Sequence, residues 1–501
     1  MGISDSDYQG AFTIPTPKGI YQAAGESNIG TDYAYNAVNM RTERGLLATS
    51  YGIGRTMLAQ LDYPISTLER FYRRNKPEDP EAFVAAAGGA IYTYTYGSGS
   101  WMKRGEGYKS DVWSCVTYET VVDGATVDIL IMSNAQDGMI VVYGNDLHVE
   151  AKDLTIGSEY SAVKFAVLGR HAERIWGTGD TAHPDTIFYS RPYNPFDWTG
   201  NIETPAMGGG MIQQPTWDGE AFIALVPFGG YLLAIKPSTC FEIRGTDPSS
   251  FTITEAYGTD GPVNPRTIGV DRLSMFYLTD SGLGRYDGSS LSLLSRNSLY
   301  EIMQMRDLSI AHKATSCVCN HVYYLALAIK ESEDDSLAEN NAVIEYDTER
   351  GTFMLRKGIR VRDFYSIGGK VYFTSAEQSE TGQPMYDILL YDDRTATGKL
   401  GLPVESMWET AWLDLGKAYV KRDFVLRFTA EADEDDVPVE ISIITERREK
   451  MRTVVLAKER RDYRVKVQNA GLRVKLRIHS NRAAGWRIYG GVNVEYSYDQ
   501  E

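Results

Sequence analysis

The chain has 501 residues, a formal net charge of −16, 43% hydrophobic and 24% charged residues. That length exceeds what one compact core needs, so several domains or one large repeat array are expected. No apolar run approaches the roughly 18 to 20 residues that span a bilayer as a helix, which argues against a membrane protein, and the opening MGISDSDYQGAFTIP lacks the basic and apolar regions of a signal peptide, so maturation in the cytosol is expected.

The charge is unevenly placed. Residues 402–501 carry 18 Lys+Arg and 17 Asp+Glu, whereas residues 1–401 carry 33 and 50, a net −17. An acidic surface of that size argues against phosphate-backbone affinity as the main task of the larger part. The four cysteines, Cys115, Cys240, Cys317 and Cys319, make no disulfide framework. The C-x-C pair has no second pair to complete a metal site, so all four read as small buried apolar residues.

Residues 1–65 are loop-rich, with an extended segment at Asn36–Met40 and a turn at Gly52–Gly54, and read as an N-terminal extended arm packed along the propeller expected from residue 66 onward. Residues 66–401 are dominated by strands. Ile91–Tyr96 alternates Ile, Thr and Thr on one side with three tyrosines on the other, the pattern a pleated strand requires. A tight turn running straight into an apolar strand occurs at Gly88–Gly89, Gly229–Gly230, Asn320–His321 and Gly368–Gly369. Weaker copies fall at Gly124, Arg170–His171 and Asp271–Arg272, giving a period of about 47 residues. Between them recurs a second strand that ends in an aromatic or a turn, at Met139–Gly144, Thr186–Ser190, Cys240–Gly245, Gly284–Gly288, Ala342–Asp347 and Asp387–Asp392. Two interleaved strand signals per period fit a four-stranded antiparallel blade, so the expected fold is all-β, a β-propeller of about seven blades. A pair of stacked β-sandwiches with chance spacing is the alternative. The acidic run Glu331–Asp335 falls between strands and reads as a solvated loop. From about Pro403 the rhythm changes to strands alternating apolar and basic residues, so residues 402–501 read as a C-terminal β-sandwich. Arg473, Lys475 and Arg477 share one side of a strand, as a solvated face or as a contact with an acidic neighbour.

Catalysis needs converging groups. The six histidines, His148, His171, His183, His312, His321 and His479, show no metal-ligand spacing. The local cluster Asp180, His183 and Asp185 could ligate a cation or orient a nucleophile, but Asp and His before Pro are also ordinary loop residues. Gly208–Gly210 precedes no strand-to-helix junction and reads as a flexible loop. Asp280–Gly282 is a single partial match to the repeated Asp-box turns of propeller glycosidases, which counts against that class. No catalytic, cofactor-binding or metal residue is therefore expected, and no cofactor.

The segments Phe188–Trp198, Leu225–Ile235, Phe241–Phe251 and Leu278–Gly288 resemble recurring stretches of the tail hub or packaged-DNA stabilisation (nozzle) proteins of short-tailed bacteriophages. Tyr35–Leu47 and Trp486–Tyr496 are similar to that family's first and last strands. These are strand-and-turn packing patterns, so no functional residue is carried over. The resemblance implies a non-enzymatic virion protein assembled in the host bacterial cytoplasm, a ring of identical chains, typically a homohexamer, beneath the portal or adaptor. Such a ring meets other tail proteins, retains packaged DNA and lets it pass during ejection without sequence-specific binding. A carbohydrate-binding or glycan-cleaving propeller, such as a receptor-binding tail component, is the competing reading from a different class.

Overall fold

The computed structural model describes residues 10–498 apart from 23–28, 44, 57, 59, 158–159, 161, 218, 257–259, 377–386 and 417. The first nine residues, on which much of the signal-peptide reading rests, lie outside the described residues. Strands dominate, and among the described residues no helix is long and apolar enough to cross a membrane.

Five consecutive four-stranded antiparallel sheets cover residues 65–106, 114–152, 167–213, 224–255 and 269–293. They are blades 1 to 5. Blade 6 is built from Thr315–Cys319, Val322–Leu327, Asn340–Asp347 and the first half of the 16-residue strand Thr352–Ile367. The second half of that strand, past a register shift between Val361 and Asp363, opens blade 7 and pairs with Lys370–Ser375, which pairs with Ile388–Asp393. The fourth strand of blade 7 comes from the other end of the chain, Gly52–Arg55. The protein is thus all-β, with a seven-bladed propeller closed by an N-terminal strand.

Why the blades close is visible in their packing. Middle strands bury alternate side chains in opposite seams: Ile129 and Ile131 face blade 3, while Leu130 and Met132 face blade 1. Both faces being covered, such strands read as continuous apolar runs rather than as clean alternation. Apolar clusters fill each seam around the circle, including that between blades 7 and 1, where Ile367 and Ile388 meet Ile65, Phe83 and Tyr94. Tyr94, one of the three tyrosines of Ile91–Tyr96, is a core residue there, packed against Phe83 and Trp101.

The turns carry the period. Six of the seven turn signals join the first and second strands of blades 2 to 7, whereas Gly88–Gly89 joins the second and third strands of blade 1. The second strand signal marks the third strand of blades 2 to 7.

The remaining strands form a two-sheet sandwich. One sheet runs Ala34–Val38, Val404–Thr410, Val474–Arg482, Val437–Thr445, Glu449–Leu456. The other runs Met40–Glu43, Leu46–Thr49, Trp486–Tyr498, Lys421–Ala432, Arg461–Gly471, with Gly10–Ile14 also paired to Trp486–Tyr498. Trp408, Phe424, Leu426, Ile441, Leu476, Ile478 and Trp486 fill the space between. Here the structure differs from the expectation for residues 1–65. Instead of an arm laid along the propeller, residues 10–55 supply strands to both sandwich sheets and to blade 7, where their apolar side chains, Ile14, Val38, Met40, Leu47 and Ile53 among them, are buried. Ala34–Val38 also bridges Thr352–Ile367 of blade 6 through Val38 and Leu355, tying the sandwich to the propeller.

Candidate functional site

Ionisable groups from the first strands of several blades converge on one carboxylate. Asp363 of blade 7 accepts hydrogen bonds from the Thr315 hydroxyl of blade 6 at 2.5 Å, the Phe364 amide at 2.9 Å and the Tyr365 hydroxyl at 3.3 Å. It also pairs with Arg266, on the lead-in to blade 5, and Arg266 in turn donates to the Arg362 carbonyl at 3.3 Å. One carboxylate therefore binds three blades together. Glu69, on the first strand of blade 1, has its carboxyl pushed up to about 7, first by desolvation and then by the charge of Asp363. Desolvation, with the charge of Glu69 second, pushes the Cys115 thiol of blade 2 up as well. A thiol held protonated is a poor nucleophile. Asp363 is fully engaged, so the arrangement can store a proton on Glu69 but sets no nucleophile beside a base.

Glu69 makes stability depend on pH. The folded chain keeps the Glu69 proton up to about pH 7, whereas an unfolded glutamate releases it near 4.5. Across that window the folded state binds more protons, so stability falls as pH rises through it. Glu69→Gln is expected to lessen the fall in melting temperature between pH 5 and pH 8. Equal slopes for variant and parent would rule this out.

The residues singled out from the sequence do not converge. His183 Nδ1 lies 2.8 Å from Asp180, whose other oxygen accepts the Lys164 amide at 2.9 Å. His183 packs edge-on to Tyr160, and Asp185 bonds Thr186 at 3.2 Å, so the trio staples the loop between two strands of blade 3. Cys317 and Cys319 lie buried in the seam between blades 6 and 7. Among the described residues no group of three or more His, Cys, Asp or Glu is placed to hold a metal ion. Gly208–Gly210 is not a free loop: the buried Arg174 donates to the Gly208 carbonyl at 2.5 Å and to the Ala206 carbonyl at 2.6 Å. A Cβ on Gly209 would come within 2.5 Å of the Trp198 backbone, so only glycine fits there. Asp280–Gly282 is the hairpin between the second and third strands of blade 5.

In the sandwich, Lys475 is buried over the rings of Tyr35 and Trp412 and lies 3.5 Å from Glu409. Arg477 meets Glu409 at 2.6 Å and Glu449 at 3.4 Å. This strip is thus largely neutralised within its own sheet, which a reading of side-chain alternation alone does not reveal.

The clearest surface anomaly lies on blade 3. Tyr193, Ile202, Met207, Met211 and Trp217, five large apolar side chains within residues 193–217, are exposed, Ile202 at 99% and Trp217 at 98%. Met211 lies on the last strand of the blade, Gly210–Gln213, and the other four fall on the segments before and after it in the chain. Single exposed apolar residues are normal, but five within 25 residues set this stretch apart from the rest of the surface.

No family model and no curated protein matches the chain. Among solved structures, TmCBM61 in complex with β-1,4-galactotriose matches 19% of this chain and 64% of its own, at 13% identity and a TM-score of 0.16. A chain of the mitotic checkpoint complex matches 68% of this chain and 94% of its own, at 8% identity and a TM-score of 0.35. The extracellular domain of a putative one-component system from B. thetaiotaomicron matches 80% and 64%, at 11% identity and a TM-score of 0.29. The chain spans under two thirds of the first and last of these, and likeness at these scores carries no functional argument.

Proposed function

We propose that the chain is a non-catalytic structural protein of a short-tailed phage tail, a hub or nozzle component. It assembles as a homohexameric ring below the portal or adaptor, retains packaged DNA and forms part of the ejection channel in the virion. The observation that carries this reading is the apolar set on blade 3, with Ile202 and Trp217 almost wholly in solvent, which a ring of identical chains would cover. Three other features support it: the resemblances within blades 3 to 5, the acidic excess of residues 1–401, which repels DNA sliding past it, and ionisable groups engaged in holding blades together.

Sizing by light scattering, with negative-stain images, tests it. The parent chain is expected as rings of several hundred kilodaltons. Ile202→Asp with Trp217→Ser is expected to give monomers that melt within a few degrees of the parent, because exposed substitutions shift stability by about 0.5 kcal/mol or less. A parent that stays monomeric when concentrated, or rings that survive the double substitution, would overturn it. The exposed Trp217 indole also favours a second reading, a carbohydrate-binding surface on which a sugar ring stacks. That reading predicts a monomer that loses glycan binding on Trp217→Ser.

A further inference from the structure

A cavity of about 200 Å³ lies where the N-terminal strand crosses from the sandwich into blade 7. Its walls come from Asn39, Arg41, residues 49–53, 356–359, 394–398, 404–406, Asp433 and 482–487. Six cationic side chains line it, Arg41, Arg356, Lys357, Arg394, Arg482 and Arg487, against the single carboxylate of Asp433. That carboxylate is already engaged, accepting from Arg487 at 2.6 Å and from the Gly485 amide at 3.1 Å.

The cations divide into two sets. Arg356, buried, is held by Asp392 at 2.5 Å, by Glu345 at 3.5 Å and by the Tyr51 carbonyl. Arg41 pairs with Glu43, Lys357 reaches Glu331 at 4.0 Å, and Arg487 reaches Glu431 at 3.2 Å. These belong to the framework. Arg394 and Arg482 are exposed, and among the described residues neither has a carboxylate within ion-pair distance. Tyr51 carries the Arg41 guanidinium 4.2 Å and the Arg394 guanidinium 5.1 Å from its ring centre, which restrains both planes.

We propose that this cavity binds a small phosphate-class oxyanion, inorganic phosphate or a compact phosphate monoester. Like charges around a concave, partly desolvated space repel, and an anion among them relieves that repulsion. Two guanidinium groups without carboxylate partners offer the planar forks that match oxyanion geometry. The volume admits a tetrahedral dianion, but not a nucleic-acid duplex. Bound there, the anion touches the sandwich through Arg482 and the propeller through Arg394, so it locks the two together. The inference is independent of ring formation.

Isothermal titration of inorganic phosphate into the full chain, in chloride buffer at constant ionic strength, tests it. Saturable binding at one site per chain is expected, with a rise in melting temperature. Arg394→Ala with Arg482→Ala, both exposed and outside the framework pairs, is expected to weaken binding about tenfold or more. The same titration with a single-stranded DNA oligomer lacking a terminal phosphate should neither bind at this site nor displace phosphate. Absence of saturable heat in the parent at millimolar phosphate, unchanged affinity in the double variant, or displacement by the oligomer would each overturn the proposal.

Discussion

Removing residues 1–57 is expected to abolish the cooperative fold rather than trim an appendage. The deletion takes Gly10–Ile14, Met40–Glu43 and Leu46–Thr49 from one sandwich sheet, Ala34–Val38 from the other, and Gly52–Arg55 from blade 7. It also removes Ile14, Ile20, Val38, Met40, Leu47 and Ile53, all buried. Each such side chain contributes about 1.5–3 kcal/mol when fully buried, so together they rival the whole stability of an ordinary domain, about 5–15 kcal/mol. The backbone groups of Ile388–Asp393 and Trp486–Tyr498 would lose ladder partners at the same time, leaving open edges prone to aggregation. The expected result is an insoluble chain, or one with no sharp thermal transition and rapid proteolysis throughout. A truncated chain melting within a few degrees of the parent would show that the N-terminal strands are dispensable.

This dependence on the N-terminal strands bears on what the sequence can reveal. The propeller was legible because a short hairpin turn needs backbone in the left-handed region, and Gly supplies it cheaply at Gly229–Gly230 and Gly368–Gly369. At two of the three weak copies other residues take that conformation, Ala172 and Glu173 at φ 50° and 55° and Arg272 at 55°, as Asn320 and His321 also do at 50° and 62°. Each costs roughly 1 kcal/mol and leaves no compositional mark, so the period fades at those two copies although the geometry persists. The N-terminal strands were not legible for a different reason. They are four or five residues long, and apart from the hairpin of Met40–Glu43 with Leu46–Thr49 their partners lie far along the chain, as Tyr496 does for Gly10, so little in the local sequence specifies the pairing. The same holds for the sites. Glu69, Arg266 and Asp363, or Arg41, Arg394 and Arg482, belong to segments far apart in sequence, and only ring closure and the crossing of the N-terminal strand bring them together.

Arg174→Met is expected to release the loop that displays the apolar surface, while lowering overall stability by about 2–4 kcal/mol. Arg174 is 1% exposed and, among the described residues, forms no ion pair. Its charge is instead met by the carbonyls of Ser190 at 2.7 Å, Gly208 at 2.5 Å and Ala206 at 2.6 Å. The rings of Tyr189 and Phe251 lie 5.6 and 5.8 Å from its guanidinium. Burial, the largest influence, pulls its pKa below the usual arginine range. Methionine keeps an apolar stem and offers no donor. Each carbonyl left buried without a partner costs about 1–3 kcal/mol, and removing a desolvated charge returns part of that. Because Ala206 and Gly208 lie on a connecting loop, they can reach water by lifting away, whereas Ser190 is fixed beside its strand. Loss should therefore appear first as protease cleavage within residues 199–209, and with it as failure to form rings, since Ile202 and Met207 ride on that loop. Lysine at position 174 cannot fork to three carbonyls from two nitrogens, so Arg174→Lys should fall between the parent and the methionine variant. A methionine variant with parental melting temperature and cleavage rate would show that the loop holds itself in place without Arg174.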